Sequence, residues 1–347
     1  MLATRRGGGL STAARREPSP NKNPTLHPTR SPTGRKGLHR RNYQRHRQFL
    51  RHGWLLLFPL LRSVVHEAPP PFRVKAPGTP GRPPTDPKDV LRFLLLKNLQ
   101  GWSYDETHAT LEVLPELRRL LGFRQLPAAS TVVGLVRKVP IGYLEDLVGR
   151  LAVRLANGPV SVAGDATGLG TCRYQRWIDL KFRKIGERET FVKLHALIVT
   201  RAQFPYFLAA RLTKGNRNDS PELEPLLEQM PEKVELGNTA LDKGYQSRKN
   251  AQLIEARGGF PVIDLKSNAT TRAAGCPAWK RMVHRQREDR RAFRCRYRRR
   301  TVIEGLFGAW KARFGYRVLA RRRHAQRVEA LCRVIVWNLL AVTYHST

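Results

Sequence analysis

Acidic residues are scarce in this chain: 27 Asp and Glu face 64 Lys and Arg, a net charge of +37 over 347 residues. Such an imbalance implies a polyanionic partner. Nucleic acid fits better than an anionic membrane, because no long basic amphipathic helix stands apart from the rest of the chain. Arg outnumbers Lys in the basic runs, and its planar fork suits phosphate. Cysteine is scarce too. Cys172, Cys276, Cys295 and Cys332 form no Cys-x-x-Cys pair, which argues against a zinc site and a disulfide framework and fits a reducing cytosol. Long apolar runs are missing. The run 54–61 is short and holds Pro59, and 328–344 is interrupted by Glu329 and Arg333. Neither reads as a membrane span, and the second reads as a buried core helix. No apolar stretch follows Met1 as in a signal peptide, and no internal repeat is evident.

What is present divides into four segments. Residues 1–49 are rich in Arg, Gly, Pro, Ser and Thr and show no apolar period, so they are expected to be a disordered basic tail. Residues 50–87 hold a short apolar helix and then a Pro-rich linker. Residues 88–158 read as all-helical. Asp86 is placed to cap a helix over 88–99 that Gly101 ends, and Ser103 with Glu106 forms a capping-box pattern. Further helices are expected from Pro115, over 132–139 and over 143–156. Short helices with tight turns suit a DNA reader and equally suit a plain bundle; the basic charge favours DNA binding. From 159 onward short apolar runs appear. Strands are expected at 159–163, 173–184, 190–199, 238–241 and 261–263, another short element of unassigned type at 207–212, and helices from Ser220-Pro221 and at 247–256, which describes a mixed sheet covered by helices.

Asp165 and Asp242 each follow a short apolar run, and strand ends deliver side chains to the sheet edge where α/β sites form. If the two strands are neighbours, the carboxylates converge. A third acid, Glu304, lies in the stretch 297–311. There Val302, Ile303, Leu306, Phe307 and Trp310 recur at helical spacing, while Tyr297, Arg300, Glu304 and Lys311 form one polar stripe beside them. Gly305 and Gly308 leave little bulk around the glutamate. Three carboxylates without a Cys or His cluster make a hard oxygen site suited to Mg²⁺ or Mn²⁺. The competing reading is a solvated basic face with one incidental Glu. Asp264 is the best substitute for Asp242, Asp219 is placed to cap the helix at Pro221, and His195 reads as a core or surface histidine. The glycine-rich run 164–170 lacks the Lys-Ser/Thr ending of a P-loop.

Tyr297-x2-Arg300-x3-Glu304-x6-Lys311 resembles the Tyr-Arg-Glu-Lys signature of insertion-sequence DDE transposases, complete in residue type and spacing. Gly164-Asp165-Ala-Thr and Leu241-Asp242-Lys-Gly-Tyr245 resemble the phrases around that family's two aspartates. Lys193-Leu-His195 and the run from Gly215 to Ser220 are family-like as well. The resemblance covers roughly 160–345 and extends more weakly over 88–140. It implies a ribonuclease-H-like domain at 159–347, with Asp165, Asp242 and Glu304 binding two divalent ions, Mg²⁺ or Mn²⁺. Tyr297, Arg300 and Lys311 would contact phosphates of double-stranded DNA. It further implies a cytoplasmic, nucleoid-associated enzyme that works as a homodimer, cutting element ends and joining them to target DNA. A nuclease without strand transfer and a non-catalytic DNA-binding protein are the rival readings. The stretch between Asp242 and Glu304 is too short for the large β-rich insert of some members, so a hairpin intermediate is not implied.

Overall fold

The computed structural model describes residues 43–74, 84–171, 191–267, 269–272 and 274–346. The strand expected at 173–184, Cys172 and residues 1–42 lie outside them. The first helix, α1 (Tyr43–Glu67), begins earlier than the expected start at residue 50. Phe49 explains the extension: its ring meets Tyr344 edge-on at 5.8 Å, so this turn has tertiary packing that its polar sequence does not advertise. Five helices follow: α2 (Pro87–Gln100), α3 (Tyr104–Val113), α4 (Pro115–Leu121), α5 (Ala129–Leu135) and α6 (Ile141–Val153). Their ends obey local chemistry. Asp86 accepts the Lys88 amide at 2.8 Å, Gly101 and Gly122 close α2 and α4 in left-handed conformations, and Ser103 and Glu106 form the expected reciprocal box.

The sheet has strand order β3-β2-β1-β4-β5, from β1 (Val160–Gly170), β2 (Phe191–Val199), β3 (Tyr206–Lys214), β4 (Leu236–Leu241) and β5 (Phe260–Ile263). The first three pair antiparallel; β4 is parallel to β1 and β5 to β4. This is the ribonuclease-H-like arrangement that the resemblance implies. Between and after the strands come α7 (Leu223–Glu228), α8 (Arg248–Ala256), α9 (Pro277–Glu288), α10 (Arg290–Tyr297), α11 (Thr301–Phe314) and α12 (Arg323–Ser346). Strand alternation sorts the core into two layers. Ala163, Leu194, Ala196 and Ile198 face a core shared with α1–α6, α11 and α12, whereas Val162, Leu197 and Val199 face α7–α10. The N-terminal helices and the sheet thus share one continuous apolar layer.

Two expectations fail in instructive ways. The strand at 159–163 does not end at Asp165 but runs to Gly170, because β2 goes on pairing with it after β4 has stopped. The stretch 297–311 is not one helix: a tight 3-10 turn, Arg298–Arg300, separates α10 from α11. That turn sits against β1 and β4, so tertiary contact overrides the local helical period. The run 328–344, by contrast, is the buried core helix expected. Within α12 Asn338 exchanges hydrogen bonds with both backbone groups of Phe207, at 2.9 and 2.8 Å. This lies where the β2–β3 register shifts, so the side chain satisfies ladder groups beside the bulge. Among the described residues no helix is long and apolar enough to cross a membrane.

Candidate active site

The site grows from one glycine. A Cβ on Gly164 would stand 2.4 Å from Leu241 Cδ2 and 2.9 Å from Leu197 Cδ2, so the two leucines fill the space that a side chain here would need. Gly164 and Leu241 are the last partners of the parallel β1–β4 register, and Asp165 and Asp242 are the next residues on their strands. The two acids therefore leave adjacent strands side by side. Burial pushes the Asp165 carboxyl above its ordinary value, and the charges of Asp242 and Asp219 add to this. The Ala166 amide and the Arg300 guanidinium oppose it without cancelling it.

Arg300 closes the site from the α11 side. Its Nη1 donates to Asp165 Oδ2 at 3.0 Å and its Nη2 to Glu304 Oε1 at 2.7 Å. One guanidinium thus bridges two of the three predicted acids, while Glu304 stays largely exposed. Burial raises the Tyr297 phenol above its usual range despite the nearby Arg300 cation; the charges of Asp264 and Asp242 act with burial. Burial likewise lowers the Lys311 ammonium, which lies 6.0 Å from the centre of the Tyr316 ring. Asp264 is engaged elsewhere, with Lys243 Nζ 3.2 Å away. The structure thus brings Asp165, Asp242, Tyr297, Arg300 and Glu304 to one edge of the sheet and ties Asp264 to a lysine.

Sequence reasoning undervalued what lies across the sheet. Asp219 makes no capping bond with its carboxylate. Instead it pairs with Lys193 at 2.6 Å and with fully buried His195 at 3.3 Å. Burial alone would raise the Asp219 carboxyl, but the His195 imidazole and the Lys193 ammonium beside it outweigh this and hold the group below its ordinary value. His195 Nε2 also meets Thr213 Oγ1 at 2.8 Å. Tyr245, three residues past Asp242, is buried, and burial followed by the fields of Asp219, Asp165 and Asp242 holds its phenol well above the ordinary value. Its hydroxyl has no hydrogen-bond partner among the described residues. The signal for this layer was the co-occurrence of Lys193-Leu-His195 with the 215–219 run, which only the β2–β3 pairing joins.

The donor set fits a hard divalent cation in kind: carboxylate oxygens, with the one nearby imidazole committed to Asp219. Among the described residues no three His, Cys, Asp or Glu side chains stand close enough to hold an ion in this arrangement. A cation does lie between Asp165 and Glu304, the guanidinium of Arg300.

A family model described as a transposase DDE domain matches residues 157–339, more than half of the chain and all of this site. The chain belongs to the DDE transposase family. A second model, a transposase domain (DUF772), matches residues 58–138, from inside α1 to just past the end of α5. A probable transposase for insertion sequence element ISA1214 from Archaeoglobus fulgidus is 34% identical over 110 residues, 31% of this chain and 33% of that relative. The chain thus matches about a third of that relative's length. No solved structure matches. Transposases of this family depend on a divalent metal and act on DNA.

Proposed function

We propose that this transposase cuts the ends of an insertion sequence and joins them to target DNA, using Asp165, Asp242 and Glu304 as its acids. The observation that carries the reading is the parallel register that sets Asp165 beside Asp242, with Arg300 tying Glu304 to the same edge. Asp165, Asp242 and Glu304 would hold two ions, Mg²⁺ or Mn²⁺. Bound there, such ions supply the positive charge that activates a nucleophilic oxygen and stabilises the leaving one. The chain's own work is positioning. Tyr297, Arg300 and Lys311 face phosphate oxygens of the element end, and Arg300 releases one or both carboxylates when it turns to phosphate. Water is the nucleophile in the first cut. The 3′-hydroxyl it frees then attacks a target phosphodiester in line, forming one P–O bond as another breaks and leaving a new 3′-hydroxyl on the target. Two ends must be joined, so the working form is a homodimer on double-stranded DNA, acting in the cytoplasm at the nucleoid.

The test incubates the full chain with a labelled end duplex and a supercoiled target plasmid, with Mg²⁺, Mn²⁺ or chelator. Metal-dependent cutting followed by covalent transfer of label to the plasmid is expected. Cutting without transfer would establish a nuclease instead, and binding without either would establish a DNA-binding protein.

A further inference from the structure

The helical region holds a cavity of about 930 Å³, none of whose lining residues belongs to the site above. Its wall carries Arg62, His66, Arg73, Lys88, Arg92 and Arg124. The nearby acids are already committed. Asp86 caps the Lys88 amide. Asp89 accepts from the amides of Arg124 and Gln125 and from Arg92 Nη1 at 2.7 Å. Two of the cations are engaged as well, Arg124 Nε lying 3.7 Å from Asp86 Oδ2 and Lys88 Nζ donating to His66 O at 2.7 Å, so Arg62 and Arg73 remain to face the cavity.

Two of the wall cations are placed with care. Arg92 is only 4% exposed, and with Nη1 held by Asp89 its Nε is buried without an acceptor among the described residues. A buried guanidinium N–H left unpaired is costly, and at Arg92 that cost is set against the ion pair with Asp89. Arg62 lies flat across Gly122, where a Cβ would come within 2.9 Å of its Nε. That glycine is the left-handed cap of α4 (φ 75°), so the turn that ends the helix also makes room for the arginine stem. Neither Arg62 nor Arg73 has a polar partner among the described residues. The N-terminus of α2, a 14-residue helix, opens at the same wall and adds its partial positive charge.

We propose that this cavity is a phosphate-binding site through which the helical region grips the DNA backbone at a point separate from the catalytic acids. The inference rests on the DNA reading above. A tetrahedral oxyanion accepts from the exposed Arg62 and Arg124 guanidiniums, and a guanidinium-lined wall binds any phosphate alike. Contact through the backbone gives hold and register but no sequence discrimination.

The experiment uses the full chain and the double variant Arg62→Ala/Arg124→Ala. Both side chains are at the exposed rim, so the fold is not at stake. Lys233→Ala/Lys249→Ala, an equal loss of charge elsewhere on the surface, is the control. Fluorescence anisotropy follows binding to an end duplex and to a random duplex across a salt series, and thermal unfolding is compared in phosphate and in chloride at equal ionic strength. The rim variant should bind both duplexes about tenfold more weakly, with a salt slope lower by about 1–2, and should lose a stabilisation by phosphate that the parent shows. Loss of the phosphate effect with unchanged DNA binding would assign the cavity to a free phosphate and overturn the DNA assignment. No change in either, or an equal loss in the control, would overturn the site altogether. The cleavage assay keeps the two readings apart: a parent that binds DNA through this cavity but never cuts contradicts the catalytic proposal alone.

Discussion

Arg300 is the residue on which the site turns. A guanidinium that bridges Asp165 and Glu304 competes with any divalent ion for the same oxygens. Arg300→Ala should therefore raise the affinity of the DNA-free protein for Mn²⁺ by about tenfold, equivalent to about 1.4 kcal/mol, while weakening its hold on end DNA. Paramagnetic resonance of free Mn²⁺ reads the first effect and anisotropy the second; Mn²⁺ affinity unchanged or lower would show that the arginine does not guard the carboxylates. Asp219 makes a pH-dependent prediction. Its carboxyl is held below its ordinary value of 3.8, so its contribution to stability is complete above that value and is lost as pH falls through the lower folded value. Asp219→Asn should cost about 1–3 kcal/mol at neutral pH, typical of charged hydrogen bonds. The gap from the parent should close only in strong acid. A gap that is constant across pH would assign the cost to packing. At this scale the sequence was legible where chemistry is local: Tyr297, Arg300, Glu304 and Lys311 announce themselves by spacing. It was illegible where partners are distant in the chain, as with Asp219 and His195, joined only through the sheet.

The elements show the same division. Helix ends were readable because caps are made by residues two to four positions away, and Asp86, Ser103 and Gly122 each do what their residue type favours. The break at Arg298–Arg300 was hidden, because it answers to β1 and β4 rather than to its neighbours in sequence. Gly164 connects the scales. Gly164→Ala should cost about 1–3 kcal/mol by overpacking against Leu241 and Leu197, and Leu241→Val should recover part of the loss in denaturant titrations. No cost, or no recovery, would mean that β1 and β4 do not meet as closely as described. Glu329 does for the segment before α12 what Gly164 does for the sheet. It accepts the amides of Leu319 and Ala320 and pairs with Arg333, which donates to Arg317 O at 2.8 Å. Removing one partner of a buried ion pair costs about 3–5 kcal/mol, so Glu329→Ala should unfold at markedly lower denaturant. A loss under 1 kcal/mol would mean that Arg333 finds another partner.

Over the whole molecule, charge and core carry separate messages. The two apolar layers make the sheet and hold its edge in place, and the net +37 supplies the attraction for a long polyanion. Between Lys280 and Arg327 stand 18 Lys and Arg but only Glu288, Asp289 and Glu304 as acids. If about 6–10 of these cations meet phosphates, affinity should fall by about 10³–10⁵ between 50 and 200 mM salt. A nearly flat salt dependence would place the DNA-binding surface elsewhere. The sheet order was not legible in the sequence, since strand neighbours are set by which apolar faces pair. The family phrases around Asp165 and Asp242 gave the fold class without it.

If Asp165, Asp242 and Glu304 act together as proposed, four single substitutions compared in one assay separate them from the nearby Asp264. Asp165→Asn, Asp242→Asn, Glu304→Gln and Asp264→Asn are assayed side by side for cutting of an end duplex with Mg²⁺ or Mn²⁺, and for binding of the same duplex. The first three should lose cleavage while binding holds or tightens, since a negative charge near phosphate has gone, and Asp264→Asn should cut nearly as the parent does. Full activity in Glu304→Gln, or a dead Asp264→Asn, would contradict the assignment.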